Sequence, residues 1–134
     1  MMSLRLDRFF GSWRSEFSPD YTAAETGLER FINFKKNTDF IGRAVAEAER
    51  ANPPIRQLVV FEVDALDADV VAYEPVFING EVQGFCTSGG YSHHANKSIA
   101  FALLPRSCVT DNLTAKIEIL GQRREAKILL EPLL

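Results

Sequence analysis

Both histidines of the chain stand side by side in "TSGGYSHHANKS", residues 87–98. Imidazoles ligate metals and carry protons, so His93 and His94 pose two chemical questions. Neighbouring residues on a strand or turn point to opposite sides, so this pair is badly placed to chelate one ion. Zinc asks for three or four ligands, usually in pairs at short spacing. The chain offers no other histidine, and Cys86 and Cys108 fall in separate segments. A catalytic histidine needs an orienting acid and a nucleophile, and no such pattern surrounds this one. The stretch therefore reads as a rigid polar turn. Gly89-Gly90 permits a close backbone bend, and Tyr91, Ser92 and His93 offer donors at its tip. Such a turn either touches a ligand or merely reverses the chain; composition leaves both readings open.

A second concentration of chemistry lies near the N-terminus: Asp7, Glu16, Asp20 and Glu25, with Trp13 and Tyr21 among them. One reading is a solvated surface with an aromatic lid over the core. The other is a set of carboxylates that hydrogen-bond a heteroaromatic ligand stacked on an aromatic face. The acidic run "EVDALDAD" (62–69) lacks the central glycine and closing glutamate of a calcium loop, and reads as a solvated loop. "GQRREAK" (121–127) is a basic hairpin turn, too small for a nucleic-acid surface.

These residues need a scaffold, and 134 residues suffice for one domain with a real core. Apolar residues make up 46% and charged ones 25%, the balance of a soluble globular protein. A net charge of −3 provides no basic field to hold nucleic acid or an anionic membrane. No apolar run approaches the ~18 residues of a membrane span, and the N-terminus lacks a signal-peptide pattern. With no export signal, Cys86 and Cys108 are expected as reduced thiols in a cytoplasmic protein.

The chain changes character at Pro53-Pro54. Before it, "MMSLRLDRFF" reads as a strand without a lead-in, and "TGLERFINFKK" as a second strand. "DFIGRAVAEAERAN" is a short helix near 41–50, with Ile41, Val45 and Ala48 on one face; Asn52-Pro53-Pro54 ends it. After the prolines come short strands: "RQLVVFEV" (56–63), the two arms of "EPVFINGEVQGFCTS", "SIAFALLP" (98–105), "LTAKIEIL" (113–120) and "RREAKILLE". Asn79-Gly80 accepts the positive φ angles of a type I′ turn and marks the tightest hairpin. Six strands with no helix between them favour a closed antiparallel barrel or small sandwich, because closure removes exposed edges.

Three segments together identify a family. "SLRLDRFFGSWRSEFSPDYTAAETGL", "FIGRAVAEAER" and "RQLVVFEVD…YEPVFINGEVQGFCTSGGYSHHANKSIAFALLP" resemble the C-terminal part of the glycine-cleavage T-protein (aminomethyltransferase) family. The likeness is strongest to the branch fused to flavin-dependent dimethylglycine and sarcosine dehydrogenases, through "EPV", "NGEV.G..TSGGYSH" and "KSIA". T-proteins proper usually show an arginine-bearing segment before the proline and a "SG..SP" turn. Here Val71 and Ser88-Gly89-Gly90-Tyr91-Ser92-His93 stand instead.

The resemblance implies a mainly β fold, with a six-stranded antiparallel barrel over 53–134. It is preceded by a short α/β segment, 1–52, which is the remnant of a folate-binding domain. It implies tetrahydrofolate as cofactor, receiving a one-carbon unit from glycine, dimethylglycine or sarcosine type amines; FAD enters only through a separate partner domain. Carried over residue by residue, the family's "RLE" becomes Arg5-Leu6-Asp7, and its aromatic falls on Trp13. The following acid falls on Glu16 and the pterin-binding glutamate on Asp20. "PLEAGL" becomes Ala23-Ala24-Glu25-Thr26-Gly27-Leu28, and "FIG" is intact as Phe40-Ile41-Gly42 before Arg43. Asp7, Trp13, Glu16, Asp20, Arg43 and Tyr91 are thus the expected folate-binding residues, with no catalytic residue of its own. The family's larger N-terminal domain, which carries the catalytic aspartate, has no counterpart here. Turnover is therefore expected only with that domain or a partner subunit. The alternative is a non-catalytic folate-domain subunit or truncated remnant acting as an interaction module. An exposed apolar face is expected where the other domain packs, drawing the chain into association with a partner or with itself. Neither nucleic acid nor membrane is an expected partner.

Overall fold

In the computed structural model, which describes residues 2–134, six strands close into one antiparallel barrel. They are β1 (Arg56–Val63), β2 (Pro75–Ile78), β3 (Glu81–Ser92), β4 (Lys97–Pro105), β5 (Thr114–Ile119) and β6 (Gln122–Leu129). Their order around the barrel is β1-β4-β3-β2-β5-β6, with β6 returning to β1. The sandwich alternative is thereby excluded. Asn79 (φ 53) and Gly80 (φ 87) make the β2–β3 hairpin with two residues, and Leu120 (φ 49) and Gly121 (φ 77) do the same between β5 and β6.

The interior follows the period of two. From β1 come Val59, Phe61 and Val63, and from β4 come Ala100, Ala102 and Leu104. β5 adds Ala115, Ile117 and Ile119, and β6 adds Ala126 and Ile128. Large and small alternate across the ladders: Phe61 lies opposite Ala100 on one side and Ile128 on the other. β4 is buried on both faces, because Ile99 and Phe101 on its outer side join Leu6 and Val60 in a second cluster, packed by Phe9 and Leu133. The N-terminal segment is held there.

Three sequence expectations change. "MSLRLD" is a helix, α1 (Met2–Asp7), rather than a strand. It is a single amphipathic turn and a half that seats Leu6 against the barrel wall. The stretch after Gly27 is a 3₁₀ turn, Leu28–Phe31, rather than a strand. It follows α2 (Ala23–Thr26), whose left-handed Gly27 ends that helix. The helix expected near 41–50 is present as α3 (Arg43–Ala51); Ile41 and Val45 are exposed and the helix buries no residue. Finally, Gly89-Gly90 is not a turn. It continues β3 to Ser92, beyond a register shift between Cys86 and Ser88, and the reversal occupies residues 93–96. Gly89 is required by a close approach: a Cβ there would lie 2.6 Å from Val70 Cβ and 2.7 Å from Val70 O.

Candidate functional site

Between the N-terminal segment and the β3 wall lies a cleft of about 420 Å³, lined among others by Arg5, Arg14, Asp20, Tyr21, Tyr73 and Phe85. Its position follows from how the segment is tied down. Thr22 caps α2, accepting from Glu25 N at 3.3 Å, while Glu25 Oε2 accepts from Thr22 N at 3.0 Å. The other Glu25 oxygen accepts from Arg56 Nε at 3.1 Å, joining α2 to the start of β1. The Arg56 guanidinium sits 5.5 Å from the centre of the Tyr21 ring and so places that ring beside the cleft. Burial raises the Tyr21 hydroxyl above its ordinary pKa, and Arg56 opposes the rise.

Glu16 is not itself in the lining but stands behind it, held by the lining residues Ser12, Ser15 and Ser88. Its side chain is fully buried, and both oxygens are engaged. Oε2 accepts from Ser12 N and Ser15 Oγ, each at 2.7 Å, with an Arg5 nitrogen at 3.5 Å. Oε1 accepts from Ser88 Oγ at 2.5 Å. Burial pushes this carboxyl's pKa upward, but the hydrogen bonds from Ser88, Ser12 and Ser15 outweigh it and leave the pKa below its ordinary value. Glu16 is therefore a charged staple across 72 residues of chain rather than a free acceptor. Gly11 permits the tight bend that brings it there, since a Cβ would meet Glu16 Cβ at 2.6 Å.

Of the other residues assigned from sequence, Asp20 reaches the cleft. It is exposed at the edge, and its Oδ2 accepts from Ser18 Oγ at 3.2 Å. Trp13 lies outside the lining and is 77% exposed. Asp7 is 1% exposed, and neither carboxylate oxygen has a hydrogen-bond partner among the described residues. Tyr91 packs edge-on against His93 at 5.2 Å, away from the cleft. Arg43 opens α3, pairs with Glu47 at 2.8 Å and donates to Lys36 O and Phe34 O, which pins residues 34–36 rather than lining the cleft. His93 and His94 are exposed in the reversal after β3, and no group of three or more metal-ligating side chains converges among the described residues.

The residue that sequence reading passed over is Tyr73. It lies in the β1–β2 connection, and its ring stacks on Phe85 with centroids 6.1 Å apart and an interplanar angle of 27°. Only the "YEP" spelling before β2 hinted at it, and nothing there says that the ring faces a cleft. As a whole, the arrangement offers a carboxylate at the rim, flat aromatic faces on two sides and two arginines.

Comparisons with known proteins place this geometry. Residues 56–134 match the model of the glycine cleavage T-protein C-terminal barrel domain. The chain is 36% identical over 133 residues to human mitochondrial dimethylglycine dehydrogenase, covering 99% of this chain and 15% of that protein. It is 32% identical over 130 residues to an aminomethyltransferase of Geobacillus sp. (strain WCH70), covering 97% of this chain and 35% of that one. In fold it resembles the crystal structure of glycine cleavage system aminomethyltransferase T from Bartonella henselae, with a TM-score of 0.87 at 20% identity, over 98% of this chain and 37% of that one. The chain thus spans between about a seventh and little more than a third of these relatives' length. With a barrel whose strands match the family model and a relative sharing sequence along nearly its whole length, the chain belongs to the glycine cleavage T-protein family and carries its C-terminal barrel domain.

Proposed function

We propose that this chain is the folate-facing C-terminal portion of a tetrahydrofolate-dependent one-carbon transferase, acting on amines of the glycine, dimethylglycine or sarcosine type. The observation that carries this is the cleft. A pterin presents ring N–H donors that suit a carboxylate such as Asp20, and its flat ring suits the faces of Tyr21, Tyr73 and Phe85. A glutamate-bearing tail suits Arg5 and Arg14, and the Arg5 Nε is buried without a partner among the described residues. The residues therefore fit the cofactor. When bound, tetrahydrofolate supplies the acceptor for the one-carbon unit. The chain's own residues bind and orient it, and no general acid or base of this chain is assigned to the transfer. Flavin chemistry, where the pathway needs it, belongs to a separate domain.

Asp20 is exposed at the rim of the cleft, so a bound ligand stays partly uncovered and turnover requires a facing polypeptide to complete the enclosure. A groove along Leu4, Arg8 and Phe10, with the exposed Trp13 nearby in sequence, supports a docking role for this side. That same apolar surface favours the second reading, a non-catalytic interaction module, and it also supports self-association. Both cysteines are free, and among the described residues no helix is long and apolar enough to cross a membrane. We assign the chain to a reducing compartment, the cytoplasm.

Reconstitution tests the first reading against the second. The chain is mixed with a polypeptide carrying the N-terminal portion of a family aminomethyltransferase, and methylene-tetrahydrofolate formation is followed. Transfer is expected only with both parts, and Asp20→Ala should lower it at least about tenfold, the scale of one lost charged hydrogen bond. Activity of the N-terminal portion that is indifferent to this chain would favour the module.

A further inference from the structure

We infer that Tyr73 is the specificity-determining wall of the cleft, an aromatic platform presented to a flat ligand at the expense of backbone comfort. This rests on the folate reading above and goes beyond it, by assigning the stacking to the β1–β2 connection. Tyr73 has φ 71, in the left-handed region where a bulky side chain is strained and glycine or asparagine is the ordinary occupant. Its side chain gains little from burial, being 81% exposed. A residue chosen for folding alone would satisfy neither condition.

The surroundings nonetheless fix it firmly. Tyr73 N donates to Cys86 O at 2.7 Å, and Cys86 N donates to Glu74 O at 2.8 Å, so the turn is stitched to β3 at its register shift. The Glu74 carboxylate accepts from Val71 N at 2.9 Å on the other side of the turn. Farther back, Asp67 accepts from Arg124 at 2.9 Å, and Val70 is buried against Gly89. Strain held in place by several independent contacts is the pattern of a ligand clamp. Other non-glycine residues at positive φ have another explanation. Phe9 packs its ring on Phe101, and Asn79 and Asn96 tolerate the conformation. Leu120 shares it at a hairpin tip, outside the cleft lining. Tyr73 combines the strain with a stacked ring that borders the cleft.

The test uses the chain itself and 5-formyltetrahydrofolate up to millimolar concentration, with binding read by NMR and folding by thermal melting. Wild type should bind weakly, with a Kd of about 0.1–1 mM. Tyr73→Ala and Tyr73→Gly should each bind about tenfold more weakly, the scale of one stacking contact, and Tyr73→Phe within about twofold of wild type. Because glycine alone relieves the left-handed strain, Tyr73→Gly should melt about 3–6 °C above Tyr73→Ala. The binding order, retained in Phe and lost in Ala and Gly, separates the platform from a merely structural tyrosine. If wild type binds and the Ala and Gly variants bind equally well, the platform is overturned while the folate reading stands. If Asp20→Ala and wild type alike show no saturable binding, the folate reading falls and the platform with it. A Gly variant melting no higher than the Ala variant would overturn the claim that the ring is held against strain.

Discussion

Glu16→Gln lowers the folding free energy by about 2–4 kcal/mol at neutral pH. The substitution keeps the shape but turns an amide N–H₂ toward groups that are already donors. Ser12 N, Ser15 Oγ and Ser88 Oγ all point at this carboxylate, and Arg5 lies 3.5 Å away. At least one buried donor then loses its acceptor. The deficit depends on pH in a definite direction. Hydrogen bonds hold the folded-state pKa of Glu16 below its ordinary value of 4.5, so its charged form stabilises the fold above that value. The contribution is lost as pH falls through the depressed folded pKa. Urea unfolding of wild type and variant should accordingly diverge most above about pH 5 and converge in acid. A difference that is flat from neutral pH down to acid would mean that the staple is not ionic.

Phe61→Ala costs about 3–5 kcal/mol, and its size comes from the barrel interior. Phe61 is completely buried, with Ala100 as its neighbour on β4. Around it the interior is alanine-rich, with Ala102, Ala115 and Ala126 in the same cluster. Short side chains on closed ladders cannot lean in to fill the space, so the cavity persists and the upper part of the range is expected. Since a domain of this kind is stable by roughly 5–15 kcal/mol, the variant sits near the edge of folding. Circular dichroism suits the measurement better than tryptophan emission, because Trp13 is largely exposed in the native state. A loss under about 1 kcal/mol would show that the interior repacks.

The barrel was legible because its signals are local. The strand expected over 56–63 is β1 residue for residue, and Asn79-Gly80 makes its hairpin through its own φ preferences. Elements set by tertiary contact were not. "MSLRLD" alternates well enough for a strand, and becomes a helix because Leu6 seats against Ile99 and Phe101 from outside the barrel. "SGG" looks like a turn until Val70 arrives from another segment and needs a bare backbone to pass. The site divides in the same way. Glu16 and Asp20 stood out as acids near aromatics, but the Ser88 hydroxyl that fixes Glu16 comes from 72 residues away. The exposed ring of Tyr73 lies in a connection without periodicity, where spacing carries no information about direction.

On the proposed reading, this chain provides part of a folate site and turns over only with a facing polypeptide. A pocket normally encloses some 70–90% of a small ligand, whereas this cleft is open at its rim, where Asp20 is exposed. Transfer also needs an acid–base group held within hydrogen-bond reach of the reacting nitrogen, and no residue of this chain is assigned that role. Calorimetric titration of the chain with tetrahydrofolate, run beside a methylene-folate assay, is the most direct measurement. Binding with a Kd of about 0.1–1 mM and no turnover are expected. Micromolar binding, or turnover abolished by Asp20→Ala, would contradict this reading and make this chain an enzyme in its own right.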